Sequence, residues 1–237
     1  MESGKMIRTW WNDLLSIIFP RVCEVCGRQL VDSEKTICGY CHIGIPYTND
    51  HRIPFNSIEQ RLAGGTPIER AASWFEYRRH SPYRQLIHKA KYYNRPDLAY
   101  ELGRMCAGSL QPDLFFDDID ILMPVPMHWL KQLKRGYNQA EEIARGINDV
   151  TAIPIADNLT ARHGHKSQTR QGTYDRYLNV KDLFSVIHPE ELQGMHILVI
   201  DDVITTGSTI LSCCDTLAHA IPDVRISVLA IASATRL

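Results

Sequence analysis

An open α/β fold is what this sequence predicts: a mostly parallel sheet flanked by helices, with a small four-cysteine module ahead of it. Three observations carry the expectation. The run Ile197-Leu198-Val199-Ile200 is apolar throughout and ends in two carboxylates, Asp201 and Asp202. Such a run, bounded by polar residues, reads as a strand buried on both faces, the kind found in parallel sheets. From residue 71 onward, strand-like and helix-like segments alternate, which implies parallel strands joined by crossovers. Four of the seven cysteines stand as Cys23-x-x-Cys26 and Cys38-x-x-Cys41.

The chain has 237 residues, 44% hydrophobic and 22% charged, with a net charge of −1. That suffices for one sizeable domain plus a small module. Near neutrality excludes a global pull toward nucleic acid or an acidic membrane, so any such contact must be local. Segment 1–19 reads as an amphipathic helix whose apolar face packs on another surface. Its core, Trp10 to Phe19, is too short to span a bilayer, is interrupted by Asn12 and Asp13, and lacks a small-residue cleavage site. The cytoplasm is therefore the default location. Segment 20–45 is read as a double zinc knuckle: each Cys-x-x-Cys turns two thiolates to one point, Gly27 and Gly39 provide tight turns, and two knuckles complete a closed tetrahedral S₄ site. The competing readings are two disulfides, disfavoured without an export signal, and a redox dithiol. A closed site makes the zinc structural.

Residues 46–70, with Pro46, Pro54, Gly64, Gly65 and Pro67, read as a connector, and 71–237 as the main domain. Ala71–Tyr77 should be a strand. Pro82–Tyr92 and Pro96–Leu110 should be helices. Asp120–Pro126 should be the next strand, its pairing stopped by Pro124 and Pro126, which cannot donate to a ladder. Met127–Lys134 is expected to be a loop over the carboxyl end of the sheet. Arg135 then opens a helix to about Asn148, with Ala140, Ile143, Ala144 and Ile147 on one face. Ile153–Leu159 should be a short strand. Residues 160–181 hold five basic side chains, Arg162, Lys166, Arg170, Arg176 and Lys181, against one acid, Asp175. That local excess suits an anion, although a solvated hairpin has the same composition. His163 and His165 lack further ligands for a metal site. Val180–Ile187 and Arg225–Ala234 should be strands, and Ile210–Ala218 a helix.

The junction after Ile200 has a chemical logic. Backbone N–H groups of Val203-Ile204-Thr205-Thr206-Gly207-Ser208-Thr209 and of the following helix converge with partial positive charge. The hydroxyls of Thr205, Thr206, Ser208 and Thr209 donate to phosphate, and Gly207 permits close approach or positive φ. Asp201 and Asp202 would repel phosphate but accept hydrogen bonds from a diol. A ligand with both ends is a ribose 5-phosphate, held where α/β sheets bind ligands, beyond the carboxyl ends of the strands.

This thirteen-residue stretch, four apolar residues, two acids, two apolar residues and a T-T-G-x-T loop, resembles the phosphoribosyl pyrophosphate (PRPP) signature of type I phosphoribosyltransferases. Three further segments are similar to the ComF (competence protein F, GntX-like) family: Leu86-Ile87-His88-Lys89-Ala90-Lys91-Tyr92; Pro124-Val125-Pro126 with Arg135-Gly136-Tyr137-Asn138-Gln139; and Gln168-Thr169-Arg170-Gln171 with Arg176-Tyr177-Leu178-Asn179-Val180. With the four cysteines they occur in that family's order. The resemblance implies Mg²⁺-dependent transfer of a phosphoribosyl group from PRPP to an unidentified nitrogen acceptor. Asp201, Asp202 and Arg135 would be its central residues. Lys91 would reach the pyrophosphate or the acceptor side, and a loop with Arg162, Lys166 and Arg176 would close over the ligand. The alternative it implies is a non-catalytic PRPP sensor or adaptor touching single-stranded DNA or a partner in competence. The sequence leaves the oligomeric state open.

Overall fold

A computed structural model describes residues 20–162 and 183–234. The expected N-terminal helix (1–19) lies outside these residues. So do His163, His165, Lys166, Arg170, Arg176 and Lys181.

The elements run α1 (Gly39–Ile43), α2 (Ser57–Leu62), β1 (Arg70–Tyr77), α3 (Arg84–Tyr92), α4 (Pro96–Leu110), β2 (Ile121–Pro124), α5 (Trp129–Arg135) and α6 (Gln139–Thr151). They continue with β3 (Leu159–Ala161), β4 (Phe184–Val186), β5 (His196–Ile204), α7 (Ser208–Ala220) and β6 (Arg225–Ala234). The main sheet has the order β1-β6-β5-β2, and every pairing in it is parallel. β3 and β4 form a separate antiparallel ribbon.

β5 sits inside the sheet, and Ile197, Leu198, Val199 and Ile200 are each fully buried. Burying each such side chain contributes roughly 1.5–3 kcal/mol. Alternation sends Leu198 and Ile200 to one face, against α3, α4, α6 and the cysteine module. Ile197 and Val199 face the other way, toward α2, α7 and the β3–β4 ribbon.

Three expectations need correction. Met127–Lys134 is not a loop: residues 129–135 form α5, which buries none of its residues. Its ends are fixed instead. His128 Nδ1 accepts from the Leu130 amide at 3.3 Å, and Gly136, at φ +85°, closes the C-terminus. Arg135 consequently ends α5, and the next helix starts at Gln139 with Asn138 as its cap. Ile153–Leu159 is not a strand either. Pro154 and Ala156 exchange two backbone bonds with Leu122, and Ile155 makes a lone bridge, before the chain turns away. The connector, finally, contains α2, started by a capping box in which Asn56 and Glu59 satisfy each other's amides. It is pinned to β1 by Asn56 Nδ2, which donates to the Ala71 carbonyl at 2.8 Å, and by Asp50, which accepts from the Ser73 hydroxyl at 2.7 Å.

Candidate functional site

Beyond the carboxyl ends of β5 and β2 lies a cleft of about 480 Å³. Among its lining residues are Lys91, Arg135, Arg162, Asp201, Asp202, Val203, Thr205 and Thr209. Residues from α3, α5, the β3–β4 ribbon and the β5–α7 junction thus meet, although up to 118 positions separate them in the chain (209 minus 91). His128, Lys131, Asn138 and Gln139 also line it. Of the other expected loop residues, Ile204 is buried in the core, Gly207 caps α7, and Thr206 and Ser208 are exposed at its start.

The two acids are adjacent on a strand, so they project to opposite faces. Asp202 is on the α3 side, where its carboxylate meets Lys91 Nζ at 3.0 Å. Asp201 is on the α7 side. Burial pushes its carboxyl up, and the Asp202 charge pushes it further, to about 7; the Asp202 amide, Lys91 and Lys131 act in the opposite sense. The Asp202 amide donates to Asp201 Oδ1 at 2.8 Å.

Arg135 is held from two sides. Its Nη1 donates to Gln139 Oε1 at 2.9 Å, and its guanidinium sits 5.4 Å from the centre of the Tyr92 ring. Asn138 ties this corner to the sheet: its Oδ1 caps α6 at the Ala140 amide (3.1 Å) while Nδ2 donates to the Val125 carbonyl (3.1 Å).

The phosphate-type loop depends on residues that the sequence did not point out. Gly207 has φ +83°, and a Cβ there would stand 2.7 Å from Leu62 Cδ2, so α2 packs directly behind the loop. Arg61 Nη1 donates to the carbonyls of Thr205 at 2.9 Å and Ile204 at 3.4 Å. Asp215 on α7 accepts from the Thr66 amide and hydroxyl at 3.1 and 2.5 Å, fastening the connector on the other side. The Asn56–Glu59 capping box was the available sign of a helix here. Which loop that helix braces was not legible locally.

The four cysteines converge, with all four Sγ atoms within 4.8 Å of one another. Cys26 and Cys38 Sγ are 3.8 Å apart. A tetrahedron with Zn–S bonds of about 2.3 Å has edges of about 3.8 Å, so the donor set fits zinc. The Cys38 amide points at Cys23 Sγ, 3.3 Å away, a bond that supports thiolate charge. Burial opposes ionisation of Cys38, but the Cys41 amide and the neighbouring sulfurs bring it down to about 7, whereas burial and those same neighbours push Cys41 well up. The set accepts one negative charge readily and resists the next, as four thiols do until a cation joins them. No described helix is long and apolar enough to cross a membrane.

The phosphoribosyl transferase domain family matches residues 132–237. The DNA utilization protein YhgH of Escherichia coli K12 is 26% identical over 206 residues, covering 80% of each chain. Competence protein F of Haemophilus influenzae is 26% identical over 199 residues, again with 80% of each chain covered. Among solved structures, the glutamine PRPP amidotransferase from B. subtilis overlays 60% of this chain with a TM-score of 0.42 and 19% identity. The matched part is 30% of that larger chain.

Proposed function

We propose that this chain, which matches the phosphoribosyl transferase domain over residues 132–237 and is similar to YhgH and competence protein F, binds PRPP with Mg²⁺ in the cleft and transfers the phosphoribosyl group to a nitrogen acceptor. One observation carries the reading: paired acids, a hydroxyl-bearing turn and the cations Lys91, Arg135 and Arg162 open onto a single cavity at the carboxyl edge of a parallel sheet.

In this reading the ribose hydroxyls donate to Asp201 and Asp202, and the 5-phosphate takes the amides and hydroxyls of Val203 to Thr209. Pyrophosphate lies against Arg135, whose fork suits phosphate oxygens, with Lys91 close by. Mg²⁺ is held mainly by the ligand and water, in keeping with its reluctance to dehydrate. The C1–O bond breaks with its electron pair leaving on pyrophosphate, the acceptor nitrogen forms the new C1–N bond, and its proton passes to water. The chain contributes position and charge: Arg135 and Lys91 stabilise the departing group, and the acids steady the cationic sugar. Arg162, Lys166 and Arg176 are proposed to close over the ligand and exclude water.

The test is calorimetric titration with PRPP, with and without Mg²⁺, followed by pyrophosphate release over a panel of bases and amines. No heat of binding under either condition sinks the reading. Binding without release for any acceptor favours the second reading, a PRPP sensor or adaptor acting on single-stranded DNA or a competence partner. A specific feature speaks for that one too: α5 leaves Leu130 and Leu133 exposed beside Lys131 and Lys134 at the cleft's edge. Labelled single strands that fail to bind even at low salt would remove DNA from it. We place the protein in the cytoplasm.

A further inference from the structure

The cysteine module is not a separate bead. Cys23, Cys38 and Cys41 belong to the same buried cluster as Leu86, Ile87 and Ala90 of α3. Between Cys23 and Cys26, Glu24 turns its carboxylate out of the knuckle toward α3 and α4. Its Oε2 accepts from Lys89 Nζ at 2.7 Å, and its Oε1 from Arg95 Nη1 at 2.7 Å. Its backbone carbonyl takes a second bond from Lys89 at 3.3 Å. The start of α3 is fastened to the same module, where the Tyr83 hydroxyl donates to the Cys41 carbonyl at 2.8 Å. Two residues beyond Lys89, Lys91 reaches into the cleft to Asp202. Both ends of a nine-residue helix are thus tied to the cysteine module, and the helix delivers one cation to the site.

We propose that Glu24 is a positioning residue for the cleft. It fixes α3 through Lys89 and Arg95 so that Lys91 stands at the acid pair, and zinc in the knuckle is thereby linked to ligand affinity. This rests on the PRPP reading above. A short helix turns as a rigid unit, so freeing its last turn swings Lys91 as well as Lys89. Linkage is reciprocal: if a metal-ordered knuckle raises affinity for PRPP, bound PRPP must hold the metal more tightly by the same factor.

The experiment is a double-mutant cycle on the full zinc-loaded chain, read by PRPP affinity. Glu24→Gln should weaken binding about tenfold, within the usual range of coupling between sites. In a Lys91→Met background the same change should weaken it less than about twofold, since the side chain through which it acts is gone. Lys89→Met cuts the tether from the helix side while leaving every knuckle residue in place, and should give the same pattern if Glu24→Gln fails to fold. PRPP should also slow zinc transfer to a coloured chelator in the wild-type chain, and do so less in Glu24→Gln. Equal losses in both backgrounds would mean a merely structural role and overturn the inference, as would unchanged affinity in Glu24→Gln and Lys89→Met. A wild-type chain that binds no PRPP overturns the functional reading itself, and this inference with it.

Discussion

Asp201 has a charge problem that its neighbour lacks. Asp202 has Lys91 at 3.0 Å, whereas Asp201, half-buried at the cleft, is raised from 3.8 to about 7 by desolvation and by the Asp202 charge. Between those two values the folded chain keeps a proton there that the unfolded chain has released. Stability from this group is complete below the unfolded value and is lost as pH rises through about 7. Asp201→Asn should therefore flatten the pH profile and be more stable than the parent by about 1–3 kcal/mol well above neutrality. Urea denaturation at acid and alkaline pH reads this directly, and parallel profiles would refute it. Asp202→Asn acts differently: PRPP binding should weaken about tenfold, a hydrogen-bond-sized loss, with under about 1 kcal/mol of stability. At Gly207, where φ is +83° and Leu62 blocks any Cβ, Gly207→Ala should cost about 1–3 kcal/mol and loosen the loop. Thermal melts and PRPP titration would move together.

At the scale of elements, α2 and the phosphate-type loop form one unit through Arg61. Arg61→Ala should lower PRPP affinity with little change in melting temperature, because it removes a brace at the surface and no buried apolar area. Unchanged affinity would leave Arg61 as a bystander. The crossing of α4 and α6 is set by two glycines. A Cβ on Gly146 would meet the Tyr100 carbonyl oxygen at 2.0 Å, and one on Gly103 the Ile143 oxygen at 2.2 Å. Gly146→Ala should separate the helices and destabilise the fold by about 1–3 kcal/mol, as overpacking does. What was legible in the sequence divides by mechanism. β5 and the face of α6 were readable because burial leaves a period: Ile197–Ile200 in one, Ala140, Ile143, Ala144 and Ile147 in the other. α5 was not, since it buries nothing and is held by His128 and Gly136 at its ends. Ile153–Leu159 misled because its apolar residues serve packing while Pro154 supplies no amide for a ladder. The acids and cations that line the cleft stood out in the sequence by their residue types and spacing. Arg61 did not, because its partners lie 143 and 144 positions along the chain.

For the molecule as a whole, the cysteine module and the main domain share a core, so they should not melt apart. Adding a chelator to the zinc-loaded chain should lower the midpoint of one cooperative transition. Calorimetry resolving two, with the later one unmoved by chelator, would show the module to be independent.

The placement of Asp201 and Asp202 on opposite sides of β5 has a mechanical side. One acid looks into the layer of α3 and α6, the other into the layer of α7, so a single molecule gripping both works like a rivet through two plates. Amide hydrogen exchange should then slow in α3 and in α7 together when PRPP is added, though the two helices lie across the sheet from each other.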